Sequence, residues 1–230
     1  MMMPMGASAQ VAMPPAITIT PKGPVISLSV QDSIQQAPDI ASILVEITVR
    51  NRDRGSTIAD GNALMAKLKA ALTGKGVASP DVTQAYFGAR EDYENNGGVR
   101  RVKGFVLQSG LLVKLHRLDR LGEVIGAAVT SGATRVSELH FDVENKGPIA
   151  ERLLASATAK GRSRAMEHAR INGFANARLL SVTEAGQNAI AFAPPAPRYS
   201  PIDGLDIPVD LTPRPVTISV SLAMAFELTN

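Results

Sequence analysis

Residues 216–228, VTISVSLAMAFEL, alternate without a break: Val216, Ile218, Val220, Leu222, Met224, Phe226 and Leu228 fall on one side of an extended chain. A period of two over thirteen residues fits a β-strand with one buried face and does not fit a helix. The chain must therefore supply a sheet and something to cover it. Ile43, Val45, Ile47 and Val49 in SILVEITVR repeat the pattern. STIADGNALMAKLKAALTGKG then changes period: Ile58, Met65, Leu68 and Leu72 lie at helical spacing, with Ser56 or Thr57 as cap and Gly74 or Gly76 as stop.

DVTQAYFGARED and VKGFVLQSGLLVKL read as two strands joined by Asn95-Asn96-Gly97-Gly98, a turn whose residues tolerate positive φ. RLDRLGEVIGAAVTSGA reads as a helix with Leu118, Leu121, Ile125 and Val129 inward, and RVSELHFDV as a strand burying Leu139, Phe141 and Val143. Residues 40–143 thus run strand, helix, strand, strand, helix, strand, the order of a duplicated βαβ, ferredoxin-like core. A long third helix spans 147–173, with a small-residue stripe of Ala150, Ala157, Gly161, Ala165 and Ala169 that suits close packing. ARLLSVTE is a further strand. The expected fold is α/β (α+β), a mixed β-sheet with helices on one face. Residues 22–230 read as a single domain carrying an irregular excursion at 186–215, where Pro194, Pro195, Pro197, Pro201, Pro208, Pro213 and Pro215 cluster.

Residues 1–21 carry no charge, and Ala7-Ser8-Ala9 matches the small-residue pattern read by signal peptidase. Pro4, Pro14, Pro15 and Pro21 make a spanning helix there unreasonable. The segment is expected to be a flexible signal-peptide remnant.

Few chemistries survive inspection. With no cysteine, thiol nucleophiles, disulfides and Cys-ligated zinc are excluded. The chain contains no G-x-S-x-G, P-loop or H-E-x-x-H motif. A net charge of +3, six Phe, three Tyr and no Trp do not make the basic, aromatic surface of a nucleic-acid binder. No cofactor motif is present. Three constellations remain. Glu138, His140 and Asp142 share a strand face and could hold a metal or make a general base; the bland reading is a wet strand face. Lys160, Arg162, Arg164 and Arg170 sit in a basic stretch that is either a surface for an anionic partner or a solvated helix face. The hairpin sets Arg90, Glu91, Asp92 and Glu94 against Arg100 and Arg101, which suits head-to-tail contacts in a homo-oligomer larger than a dimer, even a ring.

APDIASILVEITV, GNALMAKLKAALTGKGVASPDVTQAYF, VKGFVLQSGLLVKLHRLDRLGEVIGAAVTSGA, ATAKGRSRAMEHARINGFANARLLSVTE and the terminal ISVSLAMAFEL together resemble the SIMPL-domain family. The first strand, SLSVQDSIQQ, lacks the glycines that members usually carry there. The resemblance implies an exported, periplasmic or outer-envelope-associated bacterial protein, linked with envelope or oxidative-stress defence, self-assembling and without enzymatic activity. The alternative is a metal-dependent enzyme or metal-binding protein built on Glu138, His140 and Asp142.

Overall fold

The computed structural model describes residues 20–96, 99–184 and 211–230. The expected processing site and most of the Pro-rich excursion lie outside them. Ten elements follow in order: β1 (Val25–Gln36), β2 (Ile40–Asn51), α1 (Arg54–Gly74), β3 (Val82–Asn96), β4 (Val99–Leu115), α2 (Leu121–Thr130), β5 (Arg135–Asp142), α3 (Gly147–Ile171), β6 (Asn176–Glu184) and β7 (Val216–Thr229). They form two sheets where the sequence suggests one. The orders are β3-β4-β2-β5 and β1-β7-β6, and the β2–β4, β2–β5, β3–β4 and β6–β7 pairings are antiparallel. The described residues gather into two compact units, one of 32–96, 99–153 and 211–220, the other of 20–31, 154–184 and 221–230.

The larger unit holds the four-stranded sheet with α1 and α2. Its element order and pairing are compatible with the ferredoxin-like arrangement. Ile43, Val45 and Ile47 are fully buried with Leu68, Leu72, Leu107 and Leu111. Asp53, rather than Ser56 or Thr57, caps α1: its carboxylate accepts the Ser56 N–H at 2.7 Å, so the helix starts a turn earlier than the apolar spacing suggests. Gly61 lets α1 approach β4, since a Cβ there would lie 2.6 Å from Leu107 Cδ1. In α2 the buried stripe is Leu121, Val124 and Ala128; Leu118 and Ile125 are half-buried, and Val129 is 55% exposed, facing away from the core.

β5 breaks its own alternation. Ser42 pairs with His140 and Leu44 with Ser137, so Glu138 and Leu139 stand opposite Ile43 alone. Glu138 takes φ 56°, a left-handed conformation that suits the extra residue of a bulge. The bulge shifts the phase so that Val136 before it and Val143 after it are both buried; Leu139 and Phe141 are half-buried against the core.

In the smaller unit Ala157, Gly161, Ala165 and Ala169 are buried along one side of α3. A Cβ on Gly161 would lie 2.3 Å from Met224 Sδ, so the small stripe sets the distance between α3 and β7. Ala150 is half-buried; Ile149 and Leu153 are the buried side chains near the helix start. All seven alternating residues of β7 are buried, and Glu227 joins them at 1% exposed. Its carboxylate accepts the Lys22 and Gly23 N–H groups and the Arg178 guanidinium. Those bonds, Arg178 first, hold its carboxyl below the usual glutamate range.

Candidate interaction surfaces

The β3–β4 hairpin outgrows its sheet. β2 stops pairing at Asn51–Phe105, while β3 and β4 continue to Asn96–Val99. The distal arm, six residues long on β4, extends roughly 20 Å at about 3.3 Å per residue with no third strand among the described residues. Its charges are partly matched inside the protomer. Asp92 lies 3.7 Å from Arg50, Glu94 pairs in register with Arg101, and Glu91 accepts the Tyr93 hydroxyl. Arg100 stacks 3.8 Å above the Tyr93 ring. Arg90 is exposed opposite Val106. Besides its exposed charges, the arm leaves apolar surface to water: Tyr93 is 41% and Val102 51% exposed, and the two are directly opposed; Phe87, 51% exposed, lies nearer the base of the hairpin, opposite Ser109.

The open face of the four-stranded sheet carries a polar cluster that sequence reasoning missed. Glu46 accepts the Tyr86 hydroxyl at 2.5 Å and the Ser137 hydroxyl at 3.3 Å, and lies 3.4 Å from Arg135. Gly110 makes room for Tyr86; a Cβ there would lie 2.4 Å from the ring. Burial and the Glu46 bond push the Tyr86 phenol up to about 12. The phenol donates to Glu46, a carboxylate that Ser137 and Arg135 also engage. The cluster braces β3, β2 and β5.

Glu138, His140 and Asp142 do not converge. Glu138 occupies the bulge, and Asp142 is engaged by Lys146 Nζ at 2.8 Å and by the Val143 N–H at 2.8 Å. Among the described residues no three His, Cys, Asp or Glu side chains are grouped to hold a metal ion. The basic residues of α3 are spread as well. Lys160 and Arg164, four apart, share one side of the helix, while Arg162 between them falls on another. Arg164 donates to the Ser29 carbonyl at 3.1 Å. Arg162 and Arg170 are exposed and, eight positions apart, sit about 12 Å from each other along the axis. Among the described residues no helix is long and apolar enough to cross a membrane.

The molecule is thus an α/β protein whose described surface offers a projecting hairpin and, on α3, charge spread along the helix. A family profile, SIMPL, described as a protein of unknown function (DUF541), matches residues 26–226, and the chain belongs to that family. It is also similar to the uncharacterized protein YggE of Escherichia coli strain K12, 25% identical over 154 residues. That match covers 67% of this chain and 62% of YggE. The YggE proteins of E. coli O157:H7 and Shigella flexneri match to the same extent.

Proposed function

We propose that this chain is an exported, non-catalytic protein of the bacterial cell envelope that assembles with copies of itself through the β3–β4 hairpin and serves envelope or oxidative-stress defence. The observation that carries the reading is the distal arm. A two-stranded ribbon without a third strand or a covering helix is marginal in water, yet this one, unaccompanied among the described residues, extends roughly 20 Å and exposes Tyr93 and Val102, with Phe87 exposed nearer its base. Covering those side chains in a neighbouring copy stabilises both. Because Asp92 already faces Arg50 and Glu91 already accepts the Tyr93 hydroxyl, we assign apolar contact a larger share than intermolecular ion pairs. Light scattering of wild type at micromolar concentration should return a mass well above the monomer. Combined Phe87→Ser, Tyr93→Ser and Val102→Ser should return a monomer with an unchanged circular-dichroism spectrum. A wild-type monomer, or a variant that still assembles, refutes the reading.

A further inference from the structure

In the larger unit a small recess opens where the end of α1 meets the end of β4. Lys75, Lys114, His116, Arg117 and Arg120 line it, and Asp81 is the acid among its lining residues. Val77, Leu115 and Val124, all buried, also line it. The local chain path explains the gathering. Gly76 turns at φ 88°, which lets the Val77 N–H return to the Leu72 carbonyl and ends the helix. Beyond β4, a single helical turn at Leu118–Arg120 brings Arg117 and Arg120 back beside that end.

The acids that pair with these cations stand outside the lining. Glu123 lies 3.0 Å from Arg120 and 4.0 Å from Lys75; Asp119 lies 2.8 Å from Arg117; Glu144 lies 3.4 Å from Lys114. Such exposed pairs contribute little and are readily loosened. His116 stands between Asp81 at 3.2 Å and Glu144 at 3.3 Å. The lining itself therefore holds four permanent cations against one carboxylate, and an entering anion displaces Asp119, Glu123 and Glu144, which balance those cations from outside it. The carbonyl end of α1 opposes an anion with about half a charge, and the Leu72 and Thr73 carbonyls are already taken by the Lys75, Gly76 and Val77 N–H groups.

We infer that this recess binds a phosphate group. The Arg117 fork holds Asp119 through Nε and Nη2, and Arg120 Nη2 holds Glu123; an anion that displaces those carboxylates meets two guanidinium forks, whose geometry matches phosphate oxygens, with Lys75 and Lys114 as point charges. The inference does not depend on self-assembly. The phosphate could be free or could be a lipid headgroup, and the test separates the two.

The full chain is titrated with inorganic phosphate at fixed pH and ionic strength, with the His116 ring resonances and calorimetry as readouts. Saturable binding with a shift at His116 is expected. Arg117→Gln/Arg120→Gln should weaken it at least tenfold without moving the unfolding midpoint; Arg162→Gln/Arg170→Gln on α3 should not. Lys75→Gln/Lys114→Gln provides the same check if the first pair unfolds. Phosphatidylcholine vesicles containing phosphatidic acid form the second arm. Pelleting that inorganic phosphate competes away and the arginine variant loses assigns the recess to lipid headgroups; phosphate binding without pelleting assigns it to the free anion. No saturable phosphate binding up to about 10 mM, or equal binding in the recess variants, overturns the inference.

Discussion

Gly161→Ala tests how α3 lies on its sheet, because the structure gives the cost and the gain separate sources. The new Cβ would stand 2.3 Å from Met224 Sδ, 3.3 Å from Met224 Cε and 3.4 Å from Val30 Cγ2. Met224 and Val30 are 2% and 3% exposed, so the thioether has little room to swing aside. Overpacking of this kind costs roughly 1–3 kcal/mol. Replacing glycine inside a helix returns about 1 kcal/mol. The net expectation is a loss of about 1 kcal/mol. Gly126 in α2 is the control: it is exposed, and nothing lies within 4 Å of its Cβ position. Gly126→Ala should keep the whole helical gain of about 1 kcal/mol. At roughly 2–4 °C per kcal/mol for a chain of this size, the two variants should differ by about 4–8 °C in Tm, on opposite sides of wild type. Differential scanning fluorimetry resolves that separation. A Gly161→Ala protein more stable than wild type would refute the close approach of α3 to β7.

Leu222→Ala removes a 3%-exposed side chain from β7 and should cost about 2–5 kcal/mol in denaturant unfolding; a loss below about half a kcal/mol contradicts its burial. Glu227→Gln should lower stability at neutral pH. Because the folded carboxyl titrates below its unfolded value of 4.5, its contribution is present above that pH and is lost as pH falls further. Wild type and variant should therefore converge in acid, and a constant difference across pH would be the wrong result. Glu46→Gln should bring the Tyr86 phenol down from about 12, read as an earlier rise in tyrosinate absorbance, because a neutral amide neither accepts as strongly nor repels the phenolate. Export predicts that envelope protein from the native host begins at or near Gln10; recovery of Met1 by N-terminal sequencing counts against it.

Elements set by local pattern were readable. β7 and β2 follow from periodicity alone, the β3–β4 pairing follows from the Asn-Gly signal although Gly97 and Gly98 lie outside the described residues, and the small-residue stripe on α3 announced close packing before the partner, Met224, was known. What escaped depends on residues far apart in the chain. The bulge at Glu138 shows in sequence only as a slip between Val136 and Leu139, three apart where a strand wants two. Glu227 occupies a position that alternation assigns to the wet face; it is buried because Arg178 and the amides of Lys22 and Gly23 meet it there. The Glu46–Tyr86 brace needs Gly110 across two strand pairings, and the basic recess needs the end of α1 beside the end of β4. The metal reading of Glu138, His140 and Asp142 assumed uniform alternation, which the bulge removes.

The most direct measurement is hydrogen exchange of the hairpin amides as a function of protein concentration. If the distal arm is where copies meet, amides of 99–104 should exchange slowly at tens of micromolar. On dilution below the assembly threshold they should become fast, while core amides of β2 such as Val45 stay protected throughout. Arm amides that exchange at the same rate at every concentration, in a sample that light scattering shows to be assembled, would place the contact elsewhere and contradict the account.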